Sequence, residues 1–198
     1  RWLNTRNAES FTTFVCKLLD EFDAAHVQLD TLALDLEPPF EMMRGILDGD
    51  IRASWLMLRN PPRLTAHRIL QSRSKNSDIE MIAALLPPLV LPNPASEGWQ
   101  RFLGTPVNEL TCDRLFPMLY TSLFEGYAAG LLHRSDAISL LAQLAVRTRS
   151  LGPQASIALG TVGVGALGDE QTYRSVDELI EDVSICRAAG INDLALFN

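Results

Sequence analysis

Between Ala8 and Ala25 the apolar residues Phe11, Phe14, Val15, Leu18, Leu19 and Phe22 recur at spacings of three and four, which predicts a helix with one apolar stripe. The pattern then changes. From about Val27 to Leu36 the residues are strand formers crowded together, and a strand is expected there. The same helix–strand unit recurs at the far end of the chain. There Ser175 and Glu178 form an S-x-x-E capping box, Val176, Leu179, Ile180 and Val183 supply the stripe, and Gly190 supplies the stop. Ile191–Phe197 (INDLALF) then reads as a short apolar strand. Three more strands are expected at Ile79–Leu86, Leu115–Thr121 and Ser156–Val162, with a helix from Ser135, as its cap, to Arg149 between the last two. The segment from Phe40 to Lys75 reads as helical but irregular, broken by Pro61 and Pro62.

Helix and strand alternate along the chain, and the strands are mostly apolar on both faces. That combination predicts parallel strands covered by helices, an α/β fold. The pattern yields five strands, whereas a closed (β/α)8 barrel needs eight in about 250 residues. The expectation is therefore either an open sheet or the C-terminal part of a barrel whose first strands precede Arg1. No repeat of fixed period and no low-complexity linker divides residues 1–198, so one α/β domain is expected.

Composition narrows the chemistry. The chain has 198 residues, 47% apolar and 21% charged, a globular composition long enough to bury a substantial core. Its net charge of −7 argues against a nucleic-acid partner, which needs a basic surface. One locally basic run opposes that balance: Arg52, Arg59, Arg63, Arg68, Arg73 and Lys75 face a single acid, Asp50, and read either as a solvated helix face or as a patch for an acidic ligand. Cys16, Cys112 and Cys186 are too far apart for a zinc knuckle, and the apolar helix positions of Cys16 and Cys186 suggest core packing. His26, His67 and His133 show no metal-ligand spacing, so neither a metal nor another cofactor is expected. No run of about 18 apolar residues is present, so no membrane span is expected. The chain begins with Arg1 rather than Met, which leaves room for a signal peptide or an upstream segment.

The stretch LDTLALDLEPP, from Leu29 to Pro39, places Asp30, Asp35 and Glu37 in an otherwise apolar run. Side chains alternate along a strand, so Ala33, Asp35 and Glu37 share one face and Leu32, Leu34 and Leu36 the other. The leucine face suits packing against helices. Two carboxylates side by side at the strand's C-terminal end repel, which raises the pKa of one. The protonated member is then a candidate general acid and the ionised one an electrostatic stabiliser. Capping a helix or pairing with an arginine is the alternative role for the same acids.

DTLALDLE resembles the D-x-x-D-x-D-x-E signature of the family 18 glycoside hydrolases, the chitinases and endo-β-N-acetylglucosaminidases. Asp30 matches the first Asp, Asp35 the third and Glu37 the catalytic acid, while Ala33 stands where the second Asp belongs. The preceding helix, ESFTTFVCKLLDEF, is similar to the one leading into that strand in the family. MLYT (Met118–Thr121) resembles a later M-x-Y-D motif with Thr121 replacing its Asp, and GPQASIALGTVGVG (Gly152–Gly165) resembles the strand that follows. LALFN places Phe197 where the family carries an aromatic on its last strand. The resemblance implies a TIM barrel of which this chain covers about strands four to eight. It also implies substrate-assisted hydrolysis of N-acetylated or related glycans. In that scheme Glu37 protonates the glycosidic oxygen, Asp35 orients the acetamido group and stabilises the positive intermediate, and Tyr120 hydrogen-bonds the acetamido oxygen, with Met118 and Phe197 beside the sugar and Asp30 as a structural acid. Ala33 and Thr121 each remove a polar partner from this network, so a barrel that binds a carbohydrate or protein ligand without hydrolysis is the alternative the same resemblance implies.

Other features carry less chemistry. Gly163, Gly165 and Gly168 spell G-x-G-x-x-G after the strand ending at Val162, but DEQTYRS follows where a dinucleotide site needs a helix to begin, so a strand-to-helix loop is expected. Trp55, Trp99, Phe124 and Tyr127 are candidate sugar-stacking aromatics. Trp99, after Gly98 in the loop-like PNPASEGW, is the favoured one, and Trp55 is expected in the core of its helix. Glu125 is either a second acid near the site or a helix-surface glutamate. Ser10, Ser122 and Ser156 lack the G-x-S-x-G elbow of a nucleophilic serine.

Overall fold

The computed structural model describes residues 2–60, 67–93, 95–127, 131–163 and 170–197, without the side chains of residues 47, 67, 126 and 127. Pro61, Pro62, Arg63, Gly165, Gly168 and the Tyr127 side chain, all part of the expectations above, lie outside the described residues. The chain divides into two compact units. The first comprises Arg1–Ala84 and Asn93–Asp113, the second Leu85–Pro92 and Arg114–Asn198.

In the first unit, helix α1 (Ala8–Ala24) is followed by strand β1 (Thr31–Leu36), helices α2 (Phe40–Leu47), α3 (Ile51–Met57) and α4 (His67–Asn76), strand β2 (Glu80–Leu85) and helix α5 (Ala95–Leu103). The expected stripe of α1 is narrower than its sequence pattern. Ala8, Phe11, Val15 and Leu19 are buried, whereas Phe14 and Leu18 are largely exposed. Helix α1 packs on α4, and Arg73 of α4 reaches Asp20 and Asp23 of α1 at 2.7 and 2.6 Å. One member of the basic run thus neutralises two local acids. Such exposed pairs contribute no more than about 1 kcal/mol each. The irregular helical segment resolves into α2, α3 and α4, with the Asp50 side chain capping α3 by accepting from the Arg52 N–H at 2.8 Å.

The second unit contains β3 (Arg114–Pro117), α6 (Thr121–Tyr127), α7 (Arg134–Arg149), β4 (Ile157–Leu159), α8 (Val176–Ala188) and β5 (Leu194–Leu196). Strands β4 and β5 pair in parallel with Ile157 opposite Leu194, and single parallel bridges at Leu115–Ala155 and Met118–Ala158 join β3 to β4. The core gathers Val90, Leu119, Leu141, Leu144, Ile157, Leu159, Cys186 and Ile191. Helix α8 starts and stops where the sequence predicts. Ser175 Oγ accepts from the Glu178 N–H at 3.4 Å, although the Glu178 carboxylate turns to the Arg174 N–H (2.9 Å) rather than completing a box. At the other end Gly190 adopts φ +84°, the Gly190 N–H donates to the Arg187 carbonyl (2.9 Å), and the Ile191 N–H donates to the Cys186 carbonyl (3.0 Å). This is a Schellman stop, with buried Ile191 and Cys186 as its apolar pair. Helix α7 is capped two residues earlier than predicted, at His133 rather than Ser135, because Asp136 accepts from the His133 N–H at 2.9 Å.

All five expected strands are present, each shorter than its sequence pattern, and the α/β class holds. The TIM-barrel expectation does not. Among the described residues eight α-helices accompany only five short strands, of which β4 and β5 form a two-stranded parallel sheet, and no eight-stranded barrel closes. The strands run only three to six residues, and Tyr120 and Thr121, expected at a strand end, lie beyond β3, with Thr121 opening α6. Among the described residues no helix is long and apolar enough to cross a membrane. Cys112, in the first unit, and Cys186, in the second, are buried free thiols, while Cys16 is half-buried. Burial, aided by Asp113, pushes the Cys112 thiol up to about 11; burial, aided by Asp182, pushes Cys186 up to about 12.

Candidate functional site

Strand β1 divides its faces as alternation requires. Leu34 and Leu36 are buried, while Ala33 is exposed and Asp35 and Glu37 are half-buried on the opposite face. The Asp35 carbonyl accepts from the Leu3 N–H at 2.7 Å and the Glu37 carbonyl from Asn4 Nδ2 at 3.0 Å, so the chain around residues 3–4 pins the strand's end. Asp35 Oδ1 is buried and has no hydrogen-bond partner among the described residues. Burial without that compensation pushes the Asp35 carboxyl up from 3.8 to about 6. A carboxyl that keeps its proton to within a unit of neutrality is a competent donor or proton-sharing partner. Asp30, just before β1, is exposed; its side chain accepts from Gln28 at 3.3 Å and its carbonyl accepts from the Glu80 N–H at 2.9 Å.

Beside the end of β1 lies a cleft of about 540 Å³ whose lining includes Trp2, Asn4, Arg6, Asn7, Ser10 and Phe40. The Trp2 and Phe40 rings adjoin each other, with centroids 5.6 Å apart and planes tilted by 44°. None of these residues was expected from the sequence, because the run WLNTRN precedes the first periodic stripe and carries no pattern of its own.

In the second unit the structure brings Tyr120 and Phe197 together. Their rings stack at 5.3 Å with 17° between planes, over Gly160 at the end of β4. Ser122 Oγ donates to the Gly160 carbonyl (3.1 Å) and accepts from the Thr161 N–H (2.9 Å), fixing that turn. Tyr120 and Met118 are almost wholly buried, so Phe197, 37% exposed, presents the pair's accessible side. Trp99 stands on α5 rather than in a loop, 39% exposed, edge-on to Phe102 at 5.7 Å. Trp55 is not in a core: it is 53% exposed, with the Arg59 guanidinium 3.7 Å from its ring centroid.

Thr121 and Glu125 belong to an ion network. Asp182 of α8, fully buried, pairs with Arg134 Nη2 at 2.6 Å and accepts from the hydroxyls of Thr121 (2.5 Å) and Tyr173 (2.7 Å). Arg134 also reaches Glu181 at 3.1 Å and Glu125 at 3.7 Å, and Arg174 joins Glu125 (2.9 Å) to Glu178 (2.7 Å). Burial alone would lower the Arg134 pKa, but the Asp182 and Glu181 carboxylates outweigh it and raise it. The Tyr173 hydroxyl is raised by burial and by its bond to Asp182. Glu125 is therefore a partner of two arginines on α6, and this network binds α6, α7 and α8 together.

Comparison with protein-family models, with curated proteins and with solved structures finds no match to this chain.

Proposed function

We propose that this chain acts on N-acetylated or related glycans, with Glu37 as the proton donor to the glycosidic oxygen and Asp35 as its partner carboxyl. The observation that carries this reading is that Asp35, which burial holds protonated to about pH 6, and Glu37, just past the end of β1, stand half-buried two residues apart on one face of the chain. Substrate-assisted hydrolysis needs one carboxylic acid and a second carboxyl that orients the acetamido group, not a second nucleophile. Asp35 Oδ1 supports that role, since an acetamido N–H would give this buried oxygen a donor.

The alternative, a carbohydrate-binding unit without hydrolysis, is favoured by the exposed Ala33, which leaves the acid face one carboxylate short of the family signature it resembles. Hydrolysis of 4-nitrophenyl N,N′-diacetylchitobioside by the wild type and by Glu37→Gln separates the two. The catalytic reading expects the variant to lose about 10²–10⁴-fold in kcat. It also expects wild-type activity to rise as pH passes through about 6, where Asp35 ionises and becomes the better acceptor for the acetamido N–H and the better partner for a positive intermediate. Equal rates in the two proteins would refute it in favour of binding alone.

A further inference from the structure

The cleft beside β1 combines an aromatic wall with the Arg6 guanidinium. Arg6 Nε donates to Asn60 Oδ1 and Arg6 Nη2 to the Leu56 carbonyl, both at 2.6 Å. Both acceptors are neutral. They orient the guanidinium without compensating its charge, and Arg6 forms no ion pair among the described residues, although acids outnumber bases 24 to 17 in the chain. The other polar lining groups are knitted together. Asn7 Oδ1 accepts from the Asn4 N–H (3.0 Å), Asn7 Nδ2 donates to the Trp2 carbonyl (2.7 Å), and Asn4 Oδ1 accepts from the Arg6 N–H (3.1 Å). Each amide nitrogen has spent one of its two hydrogens in these bonds, so the wall is held in place and keeps donors to offer. Among the described residues that line the cleft none is a carboxylate. An uncompensated guanidinium, spare amide donors and two adjoining, tilted rings suit a ligand rich in acceptors, with an apolar face and a negative charge.

We infer that this cleft binds a carboxylate-bearing sugar ring, the ring lying against Trp2 and Phe40 and its carboxylate on Arg6. The inference rests on the glycan reading above and sharpens it: the glycan is acidic, and the cleft selects for the charge. A uronic acid alternating with N-acetylated sugars presents both groups, one to Arg6 and one to the acids of β1.

Calorimetric titration with hyaluronan tetrasaccharide and with chitotetraose tests this, because the two share N-acetylglucosamine and only the first is anionic. The wild type is expected to bind the hyaluronan fragment about tenfold more tightly, as one charge-assisted contact would give, and to lose that preference as salt rises. Arg6→Gln is expected to bind both equally, Arg6→Lys to keep part of the preference, and Trp2→Ala to weaken both. Equal wild-type affinities, a preference indifferent to salt, a preference retained in Arg6→Gln, or no binding of either sugar would overturn the inference. The salt dependence reads on the wild type alone, so it decides even if a variant fails to fold. Glu37→Gln separates this from the catalytic reading. Charge-selective binding by a protein that hydrolyses neither sugar sinks only catalysis, and hydrolysis without charge selection sinks only the present inference.

Discussion

Replacing Arg134 by Met removes the only cation that, among the described residues, pairs with Asp182, a carboxylate with no exposure at all. In the wild type Asp182 holds three partners: the Arg134 guanidinium at 2.6 Å and the hydroxyls of Thr121 and Tyr173 at 2.5 and 2.7 Å. Removing one member of a buried ion pair costs 3–5 kcal/mol, because the remaining charge loses its counter-ion yet stays out of water. Two hydroxyl donors remain on Asp182, which places the expected loss at the lower end, about 3 kcal/mol. Against a typical stability of about 5–15 kcal/mol that is a large fraction, readable as a shift in the urea midpoint at constant slope. The mechanism makes a sharper demand on the double variant. If the loss comes from a stranded charge, Arg134→Met with Asp182→Asn should be more stable than Arg134→Met alone by at least about 1 kcal/mol, since the amide carries no charge to strand. A single variant that loses less than about 1 kcal/mol, or a double variant no better than the single, refutes the reasoning.

Two further outcomes follow from other sites. The folded-state pKa of Asp35 lies above its ordinary 3.8, so the stabilisation from its protonation is complete below pH 3.8 and is lost as pH rises through about 6. That difference amounts to about 3 kcal/mol. Asp35→Asn should accordingly match the wild type near pH 4 and exceed it in urea resistance above pH 6, whereas a difference independent of pH would count against burial as the cause. At Gly160 an added Cβ would stand 3.2 Å from Tyr120 Cδ1 and 3.3 Å from Phe197 Cβ. Gly160→Ala should therefore cost about 1–3 kcal/mol by overpacking, seen as a lower Tm, and an unchanged Tm would mean that the stacked pair gives way freely.

The elements legible in the sequence are those whose signals are local. Alternation set the buried leucines of β1 apart from its acids, and Ser175 and Gly190 marked both ends of α8, because caps act within a few residues. Helix α5 has a loop-like sequence for an equally physical reason. Pro92, Pro94 and Gly98 are loop formers, and the buried side of the helix includes Ser96 and Gln100, which satisfy each other at 3.1 Å and so carry no apolar signal. The barrel expectation extended five strand patterns into an architecture that the observed strands are too few and too short to form. The apolar ring of Trp55 suggests a core position, but the Arg59 guanidinium covers that ring from outside. The Arg134–Asp182 pair joins residues 48 apart, and the Tyr120–Phe197 stack likewise joins distant positions. No spacing rule reaches so far, so these contacts come only from the tertiary structure.

The buried thiols have a kinetic meaning as well as a packing one. A thiol reacts with alkylating reagents as its thiolate, and both Cys112 and Cys186 are shielded and held in the neutral form. Each compact unit therefore carries its own silent reporter, which becomes reactive only when that unit opens. Labelling rates at the two positions would time the opening of the two units separately within one unmodified chain, and would show whether they unfold together or in turn.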